Sequence, residues 1–200
     1  MPARAMTVHL CIDMQKLFAP TGPWPTPWMA QALPNIAAVA ELMRERSVFT
    51  RFIPAREAAE EIGTWRAYWR RWSGLTLEAL DPRILELVDE LRELAPAERV
   101  VDKTRFSAFA APRLAPVLNG MRAGTLVITG AETDVCVLAT VMDAVDRGYR
   151  VIVVEDAVCS SSDAGHDAAL AIFRRRFAAQ IETLSTTALP DHLARQGREY

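Results

Sequence analysis

Three residues of this chain have types and positions that suit covalent catalysis. Asp13 directly follows a short apolar run, Lys103 follows another, and Cys136 falls in what reads as the first turn of a helix. A cysteine there lies near unsatisfied backbone N–H groups and the positive end of the helix dipole, and both favour thiolate over thiol. A neighbouring ammonium would lower the thiol pKa further, and a carboxylate in reach could accept the thiol proton and hand it to a leaving amine. Together they offer a nucleophile, an electrostatic partner and a proton shuttle. Each residue also has a plainer reading, as a packing thiol, a turn cap and a surface lysine. For Cys11, within an apolar run, and Cys159, in a Ser-rich loop, packing is the reading adopted.

Bringing these three together requires a fold that collects residues remote in sequence. Short β-branched runs alternate with longer helical patterns, which predicts an α/β domain with a doubly wound parallel sheet covered on both faces. The expected strands are 7–12, 47–53, 99–101, 125–129, 150–155 and 180–184, and the expected helices 31–46, 82–94, 112–119, 134–147 and 163–177. Gly148 should close the fourth helix at its C′ position. Right-handed crossovers then carry Asp13, Lys103 and Cys136 to one carboxyl edge of the sheet, where loops of such folds usually carry function. The Pro/Trp-rich stretch Pro20–Pro27 is expected to be an ordered loop at that edge.

Two hundred residues with 50% hydrophobic and 24% charged side chains fit one globular domain. A formal charge of −2 and the absence of a basic tract longer than Arg174-Arg175-Arg176 argue against a nucleic-acid or anionic-membrane partner. No run approaches the roughly 18 apolar residues of a spanning helix, and Met1–Thr7 lacks the apolar run of a leader, so a cytoplasmic location is expected. The three cysteines are too few and too widely spaced for a disulfide framework or a Cys-x-x-Cys metal site.

The text around the three candidates is more specific than any one of them. Cys11-Ile12-Asp13-Met14-Gln15, Asp102-Lys103-Thr104-Arg105-Phe106-Ser107-Ala108-Phe109 and Thr129-Gly130-Ala131-Glu132-Thr133-Asp134-Val135-Cys136-Val137 resemble the isochorismatase-like cysteine hydrolases. The resemblance continues through Ala139-Thr140, Asp143-Ala144, Gly148-Tyr149-Arg150-Val151, Glu155-Asp156-Ala157 and Ser160-Ser161-Ser162, nearly the whole chain in order. It implies a six-stranded parallel sheet and a triad in which Cys136 attacks a carbonyl, Asp13 is base and then acid, and Lys103 supports the thiolate. It further implies an oxyanion hole from the backbone N–H groups of Glu132 and Cys136, and a cis peptide at Ala131–Glu132.

The branch within that family also leaves traces. The nicotinamidase Asp-x-His…His metal site is absent where Thr50-Arg51-Phe52-Ile53-Pro54-Ala55-Arg56 stands, and His9, His166 and His192 lack paired ligand spacing, so neither metal nor cofactor is expected. The isochorismate-cleaving branch generally lacks the cysteine, so Cys136 points to a small amide, ureide or carbamoyl substrate. Rival readings are vinyl-ether hydrolysis and a non-catalytic Rossmann-like binder, the latter disfavoured because no Gly-x-Gly-x-x-Gly occurs. By the same resemblance the assembly is expected to be a homodimer or homotetramer.

Several side chains are candidates for holding the substrate. Trp65, Tyr68, Trp69 and Trp72 recur at i, i+3, i+4 and i+7, a helix face that suits core packing, a subunit interface or a pocket wall. Phe18, Trp24 and Trp28, after Asp13, could line the pocket. Arg51 and Arg105 could meet a carboxylate or form surface ion pairs. Ser107 and Thr133 could donate hydrogen bonds or cap helices, and Gln15 could hold the loop that positions Asp13. The expected contacts are Phe18, Trp24, Trp65, Trp69, Arg105 and Thr133.

Overall fold

A computed structural model describes residues 5–196; Met1–Arg4, most of the stretch read above for a leader, lie outside it. The β-branched runs form six strands: β1 (Met6–Ile12), β2 (Ser47–Phe52), β3 (Val100–Lys103), β4 (Ala123–Ala131), β5 (Arg150–Cys159) and β6 (Ile181–Leu184). All neighbours are parallel, in the order β3-β2-β1-β4-β5-β6. The chain therefore winds outward from β1 in one direction and returns to wind outward from β4 in the other. That places the topological switch point, where such sheets open a crevice, between the carboxyl ends of β1 and β4.

Alternation within the strands feeds two apolar layers. Val8, Leu10 and Ile12 of β1 join Leu126 and Ile128 of β4 under α4 (Leu114–Gly120), α5 (Leu138–Asp146) and α6 (Asp163–Arg176). Cys11, Phe49, Val127 and Ile152 face the other layer, covered by α1 (Met29–Leu42), α2 (Gly63–Arg71), α3 (Asp89–Arg92) and α7 (Leu189–Gln196). His9 sits within this sheet with no exposure, joined to Ser47 Oγ and Thr129 Oγ1, each at 2.8 Å. Burial lowers its pKa to about 3, so it is a neutral core histidine.

Three expectations need correction. The helix expected over 82–94 is a short turn at Pro82–Leu85, an extended Glu86–Val88 and the single turn α3. The loop after Asp13 explains the break: Lys16 N–H donates to Glu86 O, Val88 N–H donates to Met14 O, and Gln15 bridges Leu87, so this backbone serves the loop instead of a helix. β3 runs on to Lys103 instead of ending at Val101, and β5 runs on to Cys159, which pairs with Ala131 and lies in no loop. α7 had no counterpart in the sequence reading. Gly148 takes φ of 85° after α5, as a C′ glycine does. Among the described residues no helix is long and apolar enough to cross a membrane.

Candidate active site

At the switch point the chain turns sharply out of β1. Asp13 adopts φ of 50°, a left-handed conformation that aspartate tolerates better than most residues. Its N–H donates to Thr50 Oγ1 at 3.1 Å, and the same hydroxyl donates to Asp13 Oδ1 at 2.6 Å. Gly130 makes room from the β4 side, since a Cβ there would stand 2.1 Å from Ile12 O. Gln15 fastens the loop, donating to Phe52 O and Leu85 O at 3.1 and 2.9 Å while Phe52 N–H donates to its Oε1 at 2.6 Å.

Lys103, the last residue of β3, sends its ammonium to the same point. Nζ lies 2.7 Å from Asp13 Oδ2 in an ion pair and donates to Cys136 Sγ at 3.4 Å and to Arg105 O at 2.9 Å. Its underside rests over the Phe52 ring, 5.1 Å from the centroid. Asp13 and Lys103 are each 1% exposed and Cys136 7%, so the three meet in a nearly water-free enclosure. Burial opposes the charge on Lys103, yet Asp13 and Cys136 outweigh it and its pKa is raised. For Cys136 burial dominates and raises the pKa, against Lys103, with the neighbouring Asp13 charge adding to the rise. The lowered thiol pKa expected from helix position is thus corrected: desolvation wins, and the resting group is a thiol beside a carboxylate.

The nucleophile's backbone also departs from the expected helix 134–147. Thr133–Val137 form a π-turn, with Val137 N–H reaching Glu132 O at 3.0 Å, and α5 begins only at Leu138. The Ala131–Glu132 peptide entering the turn is cis, as the resemblance implied. Three successive side chains tie the turn to the start of α6. Glu132 Oε1 accepts from Ser161 N–H at 2.9 Å, Thr133 Oγ1 meets His166 Nδ1 at 2.9 Å, and Asp134 Oδ1 accepts from Ser160 Oγ at 2.5 Å.

The other candidates separate into groups. Trp65 packs 4.9 Å from Phe106 and carries the Arg105 guanidinium 4.6 Å above its ring. Tyr68, absent from the expected contacts, touches Trp65 at 5.2 Å and Phe106 at 5.9 Å. Burial and then the charges at Cys136 and Glu132 raise its pKa. Its i+3 position after Trp65 was the available signal. Trp69, expected as a substrate contact, is instead fully buried behind Phe52 at 5.9 Å, a core residue. Phe18 is buried against Trp24, whose ring meets that of Trp72 at a tilt, 4.9 Å between centroids.

The two arginines are occupied. Arg105 holds Glu61 at 3.2 and 2.9 Å, and Arg51 holds Asp102 at 2.7 and 2.8 Å. Thr133 is buried and spent on His166; Ser107 accepts from Phe109 N–H at 3.1 Å as a cap. Trp28 lies apart, bonded to Asp163. Thr50 was missed because a mid-strand threonine carries no signal until its neighbour strand is known. Among the described residues no group of three or more His, Cys, Asp or Glu side chains could hold a metal ion.

The isochorismatase domain family matches residues 7–185. An isochorismatase family protein of Bacillus subtilis is 39% identical over 89 residues, 44% of this chain and 49% of its own length. N-carbamoylsarcosine amidase of an Arthrobacter species is 29% identical over 160 residues, 78% of this chain and 59% of the amidase. The chain thus spans about half to three-fifths of the length of these two relatives. Among solved structures, an isochorismatase family protein from Desulfovibrio vulgaris superposes with a TM-score of 0.75 at 26% identity, covering 96% of this chain and all of that one. With the matched domain extending across nearly the whole sheet, this chain belongs to the isochorismatase family.

Proposed function

We propose that the protein is a metal-independent cysteine amidohydrolase that cleaves the C–N bond of a small amide, ureide or carbamoyl compound through a thioester on Cys136. The observation that carries this reading is the buried contact of a thiol, a carboxylate and an ammonium within 3.4 Å of Lys103 Nζ. A thiol with a raised pKa needs a base at the moment of attack, and Asp13, whose carboxylate shares the Lys103 ammonium with Sγ, is the base beside it. Sγ bonds to the carbonyl carbon as its proton passes to Asp13, and Lys103 offsets the negative charge on sulfur. The oxyanion is taken by the backbone N–H groups of Glu132 and Cys136 in the π-turn. Asp13 then returns the proton to the leaving nitrogen, the C–N bond breaks, and ammonia or an amine departs. Asp13 next removes a proton from water, hydroxide adds to the thioester, and the acid leaves as Sγ regains the proton. The Arthrobacter relative, an amidase by name, supports C–N chemistry.

The test is ammonia release from a panel of small amides, ureides and carbamoyl acids, comparing the native protein with Cys136→Ser and Cys136→Ala. Turnover of one compound, lost in both folded variants, is the expected result. Activity on isochorismate that survives Cys136→Ala would replace this reading with vinyl-ether hydrolysis.

A further inference from the structure

Thr140, one turn beyond the nucleophile on α5, is fully buried and makes two hydrogen bonds of unlike origin. Its hydroxyl donates to Cys136 O at 2.7 Å and accepts from Ala108 N–H at 3.0 Å. A threonine bonding back to the carbonyl four residues earlier is common in helices and would mean little alone. The second bond is different, because Ala108 lies 32 residues away in the loop that leaves Lys103. One helical turn on, Asp143 Oδ2 accepts from Ser107 Oγ at 2.7 Å, so the same loop is tied twice to the face of α5. The near end of that loop is held by the ammonium itself, since Lys103 Nζ donates to Arg105 O.

We propose that Thr140 is a positioning residue that fixes the Lys103 ammonium against Cys136 Sγ by clamping the lysine loop to the backbone of the nucleophile. A single buried hydroxyl serves because it has one proton for Cys136 O and lone pairs for Ala108 N–H. Without it, the loop stays tied to α5 one turn further on through Ser107 and Asp143, and the hydrogen bond from the loop to the residue that bears the nucleophile is lost. The consequence for turnover rests on the cysteine-hydrolase reading, whereas the consequence for the thiol does not.

The test follows alkylation of Cys136 by iodoacetamide against pH, read by peptide mass so that Cys11 and Cys159 do not interfere. Thr140→Val keeps the shape and removes the hydroxyl. Ala108→Pro removes the donor from the other side, and Ser107 already has the extended conformation, φ −66° and ψ 134°, that a following proline requires. In folded variants the alkylation profile moves to higher pH, with a rate roughly tenfold lower at pH 8, as a one-unit rise in the thiol pKa gives. On any amide the native protein hydrolyses, kcat falls with KM little changed, and Thr140→Ser restores both. Lower melting temperatures with native alkylation profiles and native kcat in both variants would overturn the proposal. If the native protein hydrolyses no amide, the amidase reading fails, and the alkylation arm still decides the role of Thr140.

Discussion

Replacing Lys103 with methionine removes the ammonium while leaving an unbranched chain of similar length over Phe52. The cost follows from burial. Asp13 and Lys103 have side chains 1% and 0% exposed and lie 2.7 Å apart, so the substitution leaves a carboxylate without its countercharge in a site that water does not reach. Breaking such a pair from one side costs about 3–5 kcal/mol, against about 0–1 kcal/mol for a pair in solvent. For a chain of this size that is a drop in melting temperature of roughly 6–20 °C. Asp13→Asn removes the charge but keeps an amide that can bond Thr50, so Lys103→Met/Asp13→Asn should recover most of the stability lost by Lys103→Met. The assay is urea unfolding of the native protein, both single variants and the double, read as a double-mutant cycle. A loss below about 1 kcal/mol for Lys103→Met, or a double variant no more stable than it, would refute the view of the pair as desolvated and mutually dependent.

Burial of neutral His9 leaves its folded pKa near 3 against 6.5 when unfolded, so its contribution is complete above 6.5 and is lost as pH falls toward 3. Its share of the loss is about 1.4 kcal/mol per pH unit in that window; urea unfolding from pH 7 to 4 should show a flatter slope in His9→Gln, and parallel slopes would contradict the assignment. Because desolvation raises the Cys136 pKa, the folded thiol stays protonated where an unfolded one ionises above 9.0, and stability from this source falls as pH rises past that value. Iodoacetamide should therefore label Cys136 more slowly at pH 7 than a free cysteine peptide, and rapid labelling at pH 6 would show a preformed thiolate instead. Glu61 occupies Arg105 beside the Trp65 and Phe106 rings, so Glu61→Gln should raise kcat/KM for carboxylate-bearing amides relative to neutral ones by roughly tenfold, the value of one charged hydrogen bond. An unchanged ratio would place Arg105 outside the substrate's reach.

The sheet was legible because buried parallel strands write continuous apolar runs, as at Leu126–Ile128 and Val151–Val154, and because crossover handedness leaves one edge for Asp13, Lys103 and Cys136. What escaped depends on partners distant in sequence. Residues 86–88 have helical periodicity but give their backbone bonds to the Met14–Lys16 loop. Trp69 belongs to the aromatic stripe by spacing, yet its angular position sends it behind Phe52 while Tyr68 packs against Trp65 and Phe106. The thiol pKa was misjudged in sign because a helix position is local, whereas desolvation depends on everything packed around Sγ. Thr50 and Thr140 make hydrogen bonds to residues remote in sequence that no spacing announces.

The central claim is a covalent acyl group on Cys136, and intact-mass measurement of enzyme quenched with acid during turnover tests it most directly. With an amide found to release ammonia, native protein should gain the mass of the acyl group, mapped to the peptide containing Cys136, and Cys136→Ala should gain nothing and release no ammonia. Turnover with no added mass, together with full activity in Cys136→Ala, would contradict the account.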